Sequence, residues 1–320
     1  MVCCSGFSVV GYLPEWRYGS FNFETACKTY THILFFSLEP GPNGELLGMD
    51  RFPSNLVLLD AKAAARKSGT KLLVCFGGNG RSAHFGSMSS SEKSRATFAQ
   101  NVASLVASKG LDGVDINWEY PGFAFGRGYI EESVDREWNS LALLMKDLRK
   151  SLPSHQLTLA YYPDGKQEGL LHSLKVSDQV DLFHAMSYDA SGPQHSPYEL
   201  ALQVVQNARN AKLDLKKITI GLPFYGRRRS GDWVTYEDIV QRHAPLPYQL
   251  NSVEDIGFNG KDMIAKKTQF ALENCGGVMI WEAGEQGNGE KKRRVGIQFD
   301  SFLCRSRLQV GSCQPKWSIS

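Results

Sequence analysis

The stretch Leu111-Asp112-Gly113-Val114-Asp115-Ile116-Asn117-Trp118-Glu119-Tyr120-Pro121-Gly122 decides the fold. Side chains alternate along a strand, so Asp115, Asn117 and Glu119 point one way and Val114, Ile116 and Trp118 the other. A one-sided strand exposed to water would tolerate three polar residues on one face. Inside a sheet that helices cover, an unpaired charge in that row costs several kcal/mol, on the order of 1–3 even for a neutral group. Such a row therefore marks a site. Glu119 comes last, at the carboxyl end of the strand where a ligand is reached, and Asp115 lies deepest.

Outward from this segment, short apolar runs rich in β-branched and aromatic residues recur over 7–13, 32–38, 71–76, 111–118, 156–162, 180–187, 217–224 and 277–281. Helical periodicity fills most gaps between them, over 55–67, 91–109, 135–152, 198–212 and 262–274. The second of these helices opens on Ser91-Glu92, the first ends at Ser68-Gly69, and the third stops at Pro153. Eight strands separated by helices predict an α/β fold with parallel strands and right-handed crossovers, and eight strands close a (β/α)8 barrel, the TIM barrel. An open doubly wound sheet is the competing arrangement. No Gly-x-Gly-x-x-Gly follows the first strand, and Gly77-Gly78-Asn79-Gly80 lacks the Lys-Ser/Thr of a phosphate loop. Barrel chemistry gathers at the carboxyl ends of the strands. Those ends are aromatic here, at Tyr12 to Trp16, Trp118 to Tyr120, Tyr161-Tyr162, Tyr188, Phe224-Tyr225 and Trp281, as a groove for the flat faces of sugar rings requires.

The 320 residues are expected to form a single domain, 1–320, with a short C-terminal appendage from about residue 301. Hydrophobic residues are 42% and charged residues 22%, which excludes a disordered or fibrous chain. The net charge is +3, and the basic clusters at 227–229 and 291–294 read as solvated loop charge, so no nucleic-acid partner is expected. No apolar run approaches the ~18 residues that span a bilayer, and no membrane partner is expected. The seven cysteines form no Cys-x-x-Cys pair, and His32, His84, His172, His184 and His195 show no ligand spacing, so no metal and no cofactor is expected. Cys304 can pair with Cys313 and Cys3 or Cys4 with Cys27, while Cys75 and Cys275 read as buried thiols. Trp118 and Trp138 read as core, and Trp233 and Trp317 fit core or site equally.

The central segment resembles the Asp-x-x-Asp-x-Asp-x-Glu signature of glycoside hydrolase family 18, the chitinase family. Further segments resemble the same family in its own order: Gly11-Tyr12 with Trp16, Tyr30-Thr31-His32-Ile33, Cys75-Phe76-Gly77-Gly78, Met186-Ser187-Tyr188-Asp189, Gly221 to Arg227 and Gly276 to Glu282. The resemblance implies a (β/α)8 barrel acting on chitin or chitooligosaccharides, chains of β-1,4-linked N-acetylglucosamine, with a monomer as the working unit. It implies a substrate-assisted mechanism, in which the sugar's own acetamide oxygen attacks the anomeric carbon and no carboxylate nucleophile is needed. Glu119 is then the general acid and base, with Asn117, Asp115 and Tyr188 as its catalytic company. Trp281 is the floor under the reacting sugar, and Tyr12, Trp16, Gly78, Tyr120, Met186, Asp189, Tyr225 and Arg227 bind substrate. Secretion, with the signal peptide absent from this chain, is the expected localisation; a cytoplasmic protein is the alternative.

The chain departs from the family pattern in four places. The third acidic position is Asn117, which accepts from the acetamide N–H but brings no negative charge; slower hydrolysis and transfer to sugar acceptors are expected. Asn79 stands where a Trp is common, and Ser37 where a cleft-facing Phe is common. About 50 residues separate Gly226 from Gly276, which is expected to leave no α+β insertion between the seventh and eighth strands and a shallow groove. Two other activities share these features: a non-catalytic lectin for chitin oligosaccharides, and an endo-N-acetylglucosaminidase for N-glycans.

Overall fold

The structure, a computed structural model, describes residues 6–284. All eight expected strands form. They are β1 (Ser8–Pro14), β2 (His32–Pro40), β3 (Lys71–Gly77), β4 (Gly113–Asn117), β5 (Gln156–Tyr161), β6 (Leu182–Ala185), β7 (Ile218–Pro223) and β8 (Gly277–Trp281). Each pairs in parallel with its neighbours in sequence, and β8 pairs with β1, so the sheet closes into a barrel. Closure removes the exposed edges that an open sheet would leave unpaired.

The helices form where capping chemistry permits. Helix Asn55–Ser68 starts at the Ser54 side chain, which accepts from the Val57 N–H, and stops at Gly69 in the left-handed region. Helix Glu92–Lys109 starts at Ser91 and stops at Gly110, also left-handed. Helix Glu131–Ser151 carries Glu131 and Glu132 in its first turn and Arg149 and Lys150 in its last, matching the helix dipole at both ends. Its buried face sets Trp138, Leu141, Leu144, Met145 and Leu148 against the barrel wall. The odd-numbered side of β4 points inward and the even side outward: Val114 and Ile116 are buried in the outer core, and Trp118 stacks flat on Phe85 at 5.2 Å between ring centres. Among the described residues, four α-helices were not legible in the periodicity, Phe23–Ala26, Phe85–Ser90, Lys166–Ser173 and Tyr236–His243, each eight residues or fewer.

The interval between β7 and β8 corrects the expectation of no α+β insertion. It holds a compact one. Strands Trp233–Thr235, Tyr225–Arg228, Ile256–Phe258 and Ser252–Val253 lie side by side in that order, antiparallel, with helix Tyr236–His243 between the first and last in sequence. Val234, Tyr236, Ile239, Ile256 and Phe258 give it a small core continuous with that of the barrel. Few residues suffice because the hairpins are short and the sheet leans on the barrel rather than standing alone.

Cys75 is a buried thiol and Cys275 a half-buried one. Cys27 is also a buried thiol, while its expected partners Cys3 and Cys4, the Cys304–Cys313 pair, Trp317 and the appendage from 301 lie outside the described residues. No helix among the described residues is long and apolar enough to cross a membrane.

Trp138 is 1% exposed at the centre of the longest helix. Trp138→Ala is expected to cost about 3–5 kcal/mol, read as a fall in the denaturation midpoint with an unchanged slope.

Candidate active site

A cleft of about 410 Å³ opens at the carboxyl ends of the barrel strands. At its base lies the β4 row. Asp115 is fully buried; Tyr12 from β1 donates its hydroxyl to Oδ2 at 2.8 Å, and Thr158 from β5 donates to Oδ1 at 2.6 Å. Burial pushes the Asp115 carboxyl up, against the hydrogen bonds from Thr158, Cys75 and Tyr12 that favour its ionised form. His184 of β6 stands 3.8 Å from the same carboxyl, and burial pushes its imidazole down to about 3, so it is neutral.

One step up, Asn117 donates from Nδ2 to Glu119 Oε1 at 3.1 Å. Its carbonyl oxygen Oδ1 is buried in the cleft wall without a protein donor. Glu119 hangs at the cleft centre with its backbone N–H given to Ser82 Oγ at 3.1 Å. Desolvation pushes the Glu119 carboxyl up to about 7, the Asn117 hydrogen bond opposes this, and the nearby Asp189 charge adds to it.

Asp189 sits in the left-handed region at φ 59°, just beyond the end of β6. Its Oδ1 accepts from the Tyr225 hydroxyl at 2.7 Å and pairs with Arg227 at 3.2 Å. Tyr188 is almost buried beside Tyr225, with ring centres 6.0 Å apart. Trp281 closes the floor, packed edgewise on Phe36 at 4.6 Å and near Tyr12 at 5.8 Å.

The fully buried Glu282, next in sequence, accepts at Oε1 from Trp16 Nε1 at 3.1 Å and Arg17 Nε at 2.6 Å. That bond anchors a Trp that is otherwise 54% exposed.

Of the residues singled out in the sequence, Glu119, Asn117, Tyr188, Tyr12, Trp16, Tyr120, Met186, Asp189, Tyr225, Arg227 and Trp281 all line this cleft. Asp115 lies beneath it. Gly78 lies behind it: a Cβ there would come within 2.3 Å of Phe36 Cζ, and φ is +105°, so glycine lets the Phe36 ring reach the cleft. The chemistry of Gly78 is thus one of space rather than contact. Ser37 is not the cleft-facing residue of β2. It is buried, donates to the Gly77 carbonyl at 2.6 Å, and leaves that place to Phe36. Asn79, Arg81, Tyr162, Trp233 and Glu282 also line the cleft. Tyr162 and Glu282 were signalled by lying at strand ends. Arg81 comes from a loop, where no pattern in the sequence marks it; Trp233, which fitted core or site equally, comes from the inserted sheet. Trp233 stands on the inserted sheet with its ring 5.6 Å from Tyr225, so one side of the groove is walled rather than shallow.

No cluster of His, Cys, Asp and Glu among the described residues could hold a metal ion.

Burial of the ionised Glu119 works against folding. Its carboxyl titrates near 7 in the folded chain against about 4.5 unfolded, so the penalty is absent below pH 4.5 and grows as pH rises through 7. Glu119→Gln is expected to stabilise the protein at pH 8 and not at pH 4. The gap in unfolding free energy is at most about 3 kcal/mol, reduced by solvent at the partly exposed edge of the carboxyl. Denaturant titrations of both proteins at the two pH values measure it.

The model of glycosyl hydrolases family 18 matches residues 8–286. Chitinase 1 of Aphanocladium album is 23% identical over 96% of this chain and 86% of its own length. A class V chitinase of Arabidopsis thaliana is 28% identical over 92% of this chain and 90% of its own length. Among solved structures, a chitinase from Bacteroides thetaiotaomicron superposes with a TM-score of 0.79 at 20% identity, covering 98% of this chain and 100% of its own. A family 18 chitinase from Cycas revoluta, solved in complex with (GlcNAc)4, gives a TM-score of 0.72 at 17% identity over 94% of this chain and 98% of its own. The closed barrel, its aromatic cleft and the family match agree, and the chain belongs to glycosyl hydrolase family 18.

Proposed function

We propose that the protein is a chitinase-like glycosidase that cleaves β-1,4 linkages between N-acetylglucosamine units with retention, through the substrate's own acetamide. The observation that carries this reading is Glu119, a carboxylic acid whose proton is held up to about 7 at the centre of an aromatic cleft. An acid that keeps its proton near neutrality can protonate a leaving oxygen.

The residues divide the work as follows. The donor sugar rests its apolar face on Trp281. Tyr188 donates its hydroxyl to the acetamide carbonyl and holds it beneath the anomeric carbon, with Asp189 and Tyr225 bracing the ring from the side. The acetamide oxygen forms a bond to the anomeric carbon as the bond to the leaving oxygen breaks. Glu119 delivers its proton to that leaving oxygen. A cyclic oxazolinium ion remains on the sugar. Water then attacks the anomeric carbon, gives its proton to the Glu119 carboxylate, and reopens the ring to the acetamide. Because Asn117 Nδ2 occupies Glu119 Oε1, the transferable proton belongs on Oε2.

Asn117 supplies the other half of the acetamide's needs. Its unpartnered Oδ1 accepts from the acetamide N–H. It offers no negative charge to the oxazolinium, which an Asp at that position would. Removal of one well-placed electrostatic stabiliser costs ~10²–10³ in turnover. With water poorly activated, a second sugar competes better for the intermediate, so transfer accompanies hydrolysis. Arg227, Trp16, Tyr120 and Met186 contact the sugars that flank the reacting one. Cleavage within a chain is the mode proposed, and a single chain carries every group named.

Products from N-acetyl-chitotetraose and longer oligomers, read by mass spectrometry, test this. The parent is expected to give shorter oligomers with some longer ones, Asn117→Asp to turn over ~10²-fold faster, and Glu119→Gln to give none. The rate is expected to fall as pH rises through about 7, where Glu119 loses its proton. Binding without products from either the parent or Asn117→Asp would leave a lectin. Cleavage confined to the paired N-acetylglucosamine core of N-glycans would make it an endo-N-acetylglucosaminidase.

A further inference from the structure

Beyond Glu119 the chain makes a small hairpin, strands Phe123–Ala124 and Gly128–Tyr129, paired Phe123 to Tyr129 and Ala124 to Gly128. Its turn carries Phe125, which is 62% exposed. An exposed phenylalanine alone is ordinary. Here it ends a continuous row of rings that starts inside the cleft. Tyr162 meets Tyr120 at 6.1 Å between centres, and Tyr120 meets Phe125 at 6.0 Å. Phe123 braces the row from behind, 5.7 Å from Tyr120, 5.6 Å from Phe125 and 5.2 Å from Tyr129. The hairpin base is anchored: Tyr129 donates its hydroxyl to Asp164 at 2.5 Å and accepts from Gln167 at 3.0 Å, with Lys166 over its ring at 4.2 Å. The shelf is therefore positioned before any ligand arrives, which lowers the ordering cost of binding.

Its place in the barrel fixes its side of the reaction. Trp16 follows β1 and Trp281 ends β8, which are neighbours; Tyr120 follows β4 and Tyr162 follows β5, across the mouth. With the donor sugar on Trp281, a chain that crosses Glu119 continues over Tyr120 toward Phe125. We infer that the row Tyr162–Tyr120–Phe125 is an acceptor-side shelf, on which Phe125 stacks a pyranose ring of the departing or incoming chitooligosaccharide. This rests on the glycosidase reading. It adds the surface that selects saccharide over water as acceptor, since a sugar seated there is held close to the oxazolinium carbon in place of bulk solvent.

The test compares the parent with Phe125→Ala and Phe125→Trp on two substrates, chitohexaose in its N-acetylated form and 4-nitrophenyl N,N′-diacetyl-β-chitobioside. The second substrate carries no sugar ring on the leaving-group side for Phe125 to stack. Phe125→Ala is expected to raise KM for the hexasaccharide about fivefold and to reduce transfer products, with kcat/KM on the aryl substrate within about twofold of the parent. Phe125→Trp is expected to restore both. An unchanged hexasaccharide KM and product pattern in Phe125→Ala, with aryl cleavage intact, overturns the shelf and leaves the glycosidase reading standing. If the parent cleaves neither substrate, that reading fails. Calorimetric affinity for the hexasaccharide then decides the shelf: about fivefold weaker binding by Phe125→Ala sustains it, and equal binding or none overturns it.

Discussion

A carboxyl group buried inside a barrel must be answered from several strands at once, and Asp115 imposes that demand here. Its two oxygens are met by hydroxyls from β1 and β5, at 2.8 and 2.6 Å. Tyr12 in turn packs against Phe36, His184 and Trp281, from β2, β6 and the end of β8. One polar group thus ties the register of five strands to that of β4, because a slip by one residue in any of them would send its partner to the outer face. An apolar residue at 115 would need none of these partners and would satisfy the barrel interior with less desolvation.

Charge compensation singles out the acid. Among the described carboxylates lining the cleft, Asp189 is paired with Arg227 and Glu282 with Arg17. Glu119 has a neutral amide as its side-chain hydrogen-bond partner. A guanidinium beside it would pull the proton off; Asn117 opposes the shift only weakly, and burial wins. An Asp at position 117 would raise the proton affinity of Glu119 further when ionised, and in the proposed mechanism it would also place a negative charge under the reacting sugar. Asn117 supplies neither effect, and burial together with the Asp189 charge raises the Glu119 carboxyl.

Strand alternation made the row Asp115, Asn117, Glu119 legible from residue types, and the eight apolar runs made the barrel legible, because both depend on local periodicity of 2 or 3.6. The inserted sheet escaped notice for a physical reason. Its strands are two to four residues long, too short for alternation to register, and they are held by contact with the barrel. Phe36 illustrates a second limit. Phe35, Phe36 and Ser37 all lie on β2, and which one faces the cleft depends on an irregularity in its pairing with β3 between Phe35 and Leu38, which sequence does not encode locally. Gly78 shows the converse: a glycine conspicuous in the sequence acts by leaving room for Phe36, a contact visible only once both strands are placed.

The two ends of the cleft obey different physics, and that difference bears on what the site favours. On the β1–β8 side, Trp16 is fixed by a hydrogen bond to the buried Glu282, and the Arg17–Glu282 ion pair stiffens the wall. A sugar there meets a rigid platform with little freedom to relax. On the β4–β5 side the contacts are ring against ring, non-directional along the face and tolerant of sliding. In the mechanism proposed above, a glycone must be held in one register for its acetamide to reach the anomeric carbon, whereas a departing or arriving chain needs only to be retained nearby. On that reading, hydrogen-bonded anchoring on one side and aromatic retention on the other would meet those two requirements separately, with Glu119 at the boundary between them.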